Sequence, residues 1–152
     1  EQALRLVELE GFNRGQYSPT KVINARDFRS ALDFMRKPSF DASREVVTDV
    51  NLPEALEVAG DVELTVEKDG VSVRASSSSR SILVLPVQFS HCWKVYGDGP
   101  PLLFRANIMQ LGISFAGRLD ASLVFHYGPI LAGHCRLEDL RDMEHLDLRG
   151  AR

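Results

Sequence analysis

Two residue pairs, His91-Cys92 and His134-Cys135, hold the side-chain types that can complete a tetrahedral zinc site. Their spacing argues against that use. Neighbouring residues on a strand face opposite ways, so one His-Cys pair rarely sends both ligands to one ion, and no Cys-x-x-Cys brings two thiolates together. The expectation is no metal and no cofactor, with the cysteines buried or paired. Trp93, Tyr96 and His91 suggest a sugar-stacking platform, because aromatic faces contact the C–H side of a pyranose while nearby polar groups take its hydroxyls. The plainer alternative for Trp93 is a core tryptophan of a β-sandwich. Arg105, Asn107 and Gln110 alternate in part with Ala106, Ile108 and Met109, which turns some of them outward. They read equally as glycan contacts or as an ordinary surface strand.

Catalytic patterns are weaker still. Paired carboxylates perform acid and base work in glycosidases, yet Glu63, Glu67 and Asp69 read as the wet side of a hairpin. Glu138, Asp139, Asp142 and Asp147 read as the polar face of a helix. No Ser sits in a Gly-x-Ser-x-Gly elbow, and there is no Gly-rich phosphate loop. The isolated chain is therefore expected to be no enzyme.

The elements that must position these residues are mostly strands. Phe28, Ala31, Leu32 and Met35 recur at helical spacing behind Asn24 and Asp27, either of which can cap, and Lys37-Pro38 ends the segment, predicting a helix at about 27–37. Arg44 to Val50 predicts a strand, and Pro53 to Glu57 either a helical turn or an irregular crossing. Val62, Leu64 and Val66 alternate with Glu63, Thr65 and Glu67, and Val71, Val73 and Ala75 follow Asp69-Gly70, the pattern of a β-hairpin. Ser76 to Ser79 reads as a solvated turn before Ser81 to Gln88, whose apolar run suits a strand buried on both faces, with Pro86 marking a bulge or an edge. Short strands follow at Trp93 to Tyr96, Leu102 to Met109, Leu111 to Phe115 and Ala121 to Tyr127. Leu137, Leu140, Met143 or Glu144, and Leu148 approximate a helical stripe, predicting an amphipathic helix at about 136–148 that packs on the sandwich. The fold class expected is mainly β: one domain over 1–152, an antiparallel β-sandwich at about 44–127 of jelly-roll or immunoglobulin-like type, flanked by the two helices.

Bulk properties agree with a globular module. Apolar residues form 44% and charged residues 26% of the 152 residues, too apolar for a disordered chain and enough for one core. A net charge of −3 lacks the positive field that nucleic acid requires, so nucleic acid is not expected as a partner. The longest apolar run, Ile82 to Val87, is far short of the roughly 20 residues that span a bilayer. Glu1-Gln2-Ala3-Leu4-Arg5 shows neither an initiating Met nor a signal-peptide pattern, so the expectation is a segment of a longer protein.

The series Leu83-Val84-Leu85, Phe89 to Val95 with Trp93-Lys94, Asp98-Gly99, Arg105-Ala106-Asn107 and Val124-Phe125-His126-Tyr127 resembles, in its order, the C-terminal region of the YfhO-like family of bacterial membrane proteins. Asp27 to Val47 and the hairpin at Asp69-Gly70 extend the likeness. The family is classed with polyprenyl-phosphate-sugar-dependent glycosyltransferases whose catalytic site is expected in the membrane part. The resemblance implies a non-catalytic accessory domain on the extracytoplasmic, periplasmic face, with the membrane-embedded region of its parent chain and a glycan acceptor as partners. The alternative is a free-standing carbohydrate-binding or protein-interaction sandwich. In the oxidising compartment that the family implies, a Cys92 to Cys135 disulfide becomes one option, tying the C-terminal segment to the sandwich; free buried cysteines are the other.

Overall fold

The computed structural model describes residues 12–52, 55–99, 101–126 and 134–145. The opening residues from Glu1, together with Pro53, Glu54, Tyr127, Asp147 and Leu148, lie outside that set, as does the side chain of Met143.

A small βαβ unit comes first. Strand β1 (Lys21–Asn24) pairs in parallel with β2 (Glu45–Thr48), and helix α1 (Phe28–Met35) lies between them in the chain. Asp27 caps α1: its carboxylate accepts from Ser30 N at 2.8 Å and from the Ser30 hydroxyl, contacts that hold Asp27 below the usual carboxylate range. Ala31, Phe34 and Met35 turn toward buried Val47 of β2. β1 was not among the predicted strands, because four residues with one apolar pair, Val22-Ile23, carry too short a period.

The main sheet is dominated by two long strands, β4 (Gly70–Gln88) and β7 (Gln110–Phe125), antiparallel along their whole length. β3 (Gly60–Glu67) flanks the start of β4, while β5 (Trp93–Gly97) and β6 (Leu102–Ala106) share the other edge of β7, β5 along its end and β6 along its beginning. The result is the mainly β, sandwich-like fold expected. Among the described residues no helix is long and apolar enough to cross a membrane.

Several predicted segments merge. Ser76 to Ser79 is not a turn between strands but the bulged middle of β4: Ser76 faces Arg118 and Arg80 faces Ala116, so four steps on β4 match two on β7. β7 carries Gly117 at φ 71° opposite this bulge, and the same level of the sheet holds the break between β5 and β6. A serine run resembles a loop in composition, but its backbone can still join a ladder when a neighbour supplies the partners. The predicted strands at Leu111 to Phe115 and Ala121 to Tyr127 are likewise parts of β7, and Met109 lies beyond the end of β6. Pro86 sits inside a second register shift, between Leu85 and Gln88, where a missing N–H is tolerated. Glu57 makes a parallel bridge to Ser81, which resolves Ala55 to Glu57 as an irregular crossing.

Both halves of the β4–β7 ribbon send side chains into one core: Val71, Val73, Leu119 and Leu123 from one half, Leu83, Leu85, Leu111 and Ile113 from the other. On the opposite face, Ile82, Val84 and Phe104 pack with Val46 of β2. The second half of β4 is thus buried on both faces, as its continuous apolar run predicts. At the β3–β4 hairpin the two loop residues are Lys68 and Asp69, since Glu67 pairs with Gly70. A Cβ on Gly70 would stand 2.0 Å from the Leu123 carbonyl oxygen, so this glycine permits close approach of β7 rather than shaping the turn.

Candidate functional site

Helix α2 (His134–His145) determines where the chemically capable residues meet. It was expected to dock through its leucines, but Leu137 and Leu140 are 54% and 45% exposed. The docking face is polar instead. Cys135 is joined to Cys92 by a disulfide, and one turn later Asp139 accepts from the Ser90 hydroxyl at 2.6 Å and from His91 N at 2.8 Å. A turn beyond, Asp142 accepts from His91 Nε2 at 2.7 Å and from the Arg105 guanidinium. Cys135, Asp139 and Asp142 recur at i, i+4 and i+7, one helical stripe; anchoring the helix by its cysteine would have exposed that stripe in the sequence.

The receiving surface is made by the turn after β4 and by β6. Ser90 also accepts from Cys92 N at 3.0 Å, closing the turn that presents the cysteine. The Phe89 ring supports two groups at once: His91 meets it edge-on at 5.1 Å between centroids, and the Arg105 guanidinium lies over it at 5.1 Å. Nδ1 of His91 faces Glu138 across 3.8 Å, so both imidazole nitrogens address carboxylates. Because an ionised carboxylate only accepts, Nε2 carries the hydrogen toward Asp142. Burial opposes ionisation of Asp142, yet hydrogen bonds from His91 and Arg105, together with the charge of the Arg105 guanidinium, outweigh it and hold the carboxyl below its ordinary range.

That balance has a sign. A carboxylate with a depressed folded-state pKa adds stability that is fully present above its unfolded value and is lost as the pH falls through the folded one. The stability difference between the native chain and Asp142→Asn should therefore stay level from neutral pH down to the carboxylate range and shrink in stronger acid, as read by urea unfolding at stepped pH. A difference independent of pH throughout would mean that Asp142 is not held as an anion.

Arg105 and Asp142 stand on the wall of a cleft of about 380 Å³ whose other walls come from the α1 N-terminus, the end of β2 and the turn after β6. Arg26, Asp27, Thr48 and Asp49 supply further polar groups, and Ala25, Phe28, Ala31, Val47 and Ile108 an apolar lining. This volume falls within the roughly 300–1,000 Å³ of small-molecule sites. Ile108 is held at φ 73°, and Met109 N donates to Asn107 O at 2.8 Å across it, the geometry of a classic γ-turn that a β-branched residue rarely adopts.

Of the six residues proposed for glycan contact, the fold brings His91 and Arg105 together through Asp142, and Arg105 alone of the six lines the cleft. The platform of Trp93, Tyr96 and His91 is not assembled. Trp93 and Val95 pack against the main core while Tyr96, on the alternate face of β5, is 57% exposed. The Trp93 indole N–H donates to Gln88 O at 2.9 Å and its ring meets Phe125 edge-on. Asn107 is buried rather than outward-facing: Oδ1 accepts from Val47 N at 2.9 Å, Nδ2 donates to Gln110 Oε1 at 3.1 Å, and its own N–H donates to Val47 O at 2.8 Å. Asn107 and Gln110 thus join β2 to the β6–β7 turn. Both cysteine sulfurs are committed to the disulfide, and among the described residues no group of three or more His, Cys, Asp or Glu could hold a metal ion.

No family model, no curated protein and no solved structure matches this chain.

Proposed function

We propose that this chain is an extracytoplasmic accessory domain of a membrane glycosyltransferase, acting by binding, with the cleft between α1, β2, β6 and α2 as the place where a glycan acceptor rests. The observation that carries the reading is the Cys92–Cys135 disulfide, because such bonds form and persist in oxidising compartments. The resemblance of the motif order to that of YfhO-like proteins supports the membrane association. The cleft supports the glycan: an apolar lining of Ala25, Val47 and Ile108 suits sugar C–H groups, and Arg26, Thr48 and Asp49 offer donors and acceptors for hydroxyls.

A free-standing carbohydrate-binding module is the second reading, resting on the same apolar and polar lining of the cleft. Either reading predicts that the chain exported to a bacterial periplasm carries no alkylatable thiol before reduction and two after it, by intact mass. Titration with neutral and acidic oligosaccharides should move backbone amide resonances around Ala25, Thr48 and Ile108. Two free thiols in the exported protein would remove the compartment; resonances that ignore every sugar would remove the glycan. Crosslinking of the full-length parent in membranes then separates the two readings, since only the accessory domain requires contact with a membrane-embedded partner.

A further inference from the structure

The manner in which α2 is attached leaves Arg105, the less exposed of the two guanidinium groups lining the cleft, occupied by the chain's own carboxylate. Arg105 has a side chain only 18% exposed, is stacked over Phe89 and faces the cleft, yet its anion comes from Asp142, which reaches in from a helix whose leucines stay in solvent. Beyond the disulfide at its first turn, the described contacts of α2 are hydrogen bonds and ion pairs to Ser90, His91 and Arg105. Among the described residues, the disulfide at Cys135 is the covalent tether of the helix, and Asp142 lies about two turns away from it.

We propose that the cleft is a site for a carboxylate-bearing sugar of the uronic acid class, and that Asp142 is the built-in stand-in whose place on Arg105 the sugar carboxylate takes. The inference rests on the glycan reading above and narrows it. A planar guanidinium matches a carboxylate with two parallel hydrogen bonds, whereas a sugar hydroxyl satisfies neither its fork nor its charge. Exchanging one carboxylate for another keeps Arg105 neutralised and returns Asp142 to water; the swap gives up the Asp142 bond to His91, whose partly exposed ring can pass that N–H to solvent. The sugar ring would then lie along Val47 and Ile108, with Thr48 and Arg26 within the same cleft for its hydroxyls. Because the tethered carboxylate competes at high effective concentration, affinity in the native chain is reduced by the fraction of molecules in which Asp142 is displaced.

The test is calorimetric titration with glucuronate, using glucose as the neutral sugar and acetate as the bare carboxylate, on disulfide-bonded protein. Asp142→Asn should bind glucuronate about tenfold more tightly than the native chain, the reciprocal of a fraction of about one tenth in which Asp142 leaves Arg105 open. Adding Arg105→Gln to Asp142→Asn should abolish the gain, and Arg105→Lys should recover only part of it, as expected for a fork rather than a point charge. Thermal unfolding and the intact Cys92–Cys135 bond check that each variant is folded. Equal glucuronate affinity in native and Asp142→Asn chains overturns the stand-in. Glucose binding as tightly as glucuronate overturns the uronic acid class and leaves the glycan reading in place. Acetate binding as tightly as glucuronate reduces the site to a carboxylate receptor and overturns the sugar. If none of the three binds any variant, the inference falls, while the glycan reading is decided by the oligosaccharide titration above.

Discussion

Replacing Cys92 and Cys135 together by Ser is expected to lower the unfolding free energy by about 4 kcal/mol, from the lost restriction on the unfolded chain. The bond joins residues 43 apart in sequence, a segment that carries β5, β6 and β7. Without it the unfolded ensemble gains the freedom of that loop, while the native sheet keeps its own ladder. The loss is a large share of the roughly 5–15 kcal/mol available to a domain of this size. Urea unfolding of the oxidised chain against the double variant measures it, and amide exchange in α2 should accelerate in parallel. A change below about 1 kcal/mol would mean that strain or residual structure cancels the loop term.

The second large effect falls on Asn107→Ala, expected to cost about 3 kcal/mol from two sources. Truncation removes the acceptor of the N–H of Val47, a buried residue of β2. An orphaned buried donor costs about 1–3 kcal/mol. Asn107 also sits at φ 48°, where alanine is disfavoured by roughly 1–2 kcal/mol and asparagine is tolerated. Asn107→Gly separates the two, because glycine accepts the backbone angle while still lacking the acceptor; it should be milder than Ala by about the left-handed cost alone. If Gly and Ala variants unfold at the same urea concentration, the backbone term is absent and the hydrogen bond carries the whole effect.

Much of the secondary structure follows from short-range chemistry that can be read residue by residue. Asp27 caps α1 because its carboxylate reaches an N–H three residues on, whatever surrounds it. Val62, Leu64 and Val66 alternate with charged or polar neighbours because a strand presents successive side chains to opposite faces. The hairpin at Asp69-Gly70 was legible for a partly different reason than the one the fold reveals, since Gly70 serves the contact with Leu123. Composition misled at Ser76 to Ser79, where polar side chains mask a backbone that pairs with β7.

The amino-acid sequence by itself determined the class of fold, the helix after Asp27, the doubly buried strand at Ile82 to Leu85 and the two cysteines available to bond. Tertiary structure alone decided that those cysteines meet, that α2 turns Asp139 and Asp142 inward and Leu137 and Leu140 outward, and that Asp142 reaches Arg105 from 37 residues away. Helical and strand periods arise from sterics within a few residues, so they are written locally. Which face of α2 is buried depends on one covalent tether and on charges held by distant strands, and no local pattern encodes the distance between them.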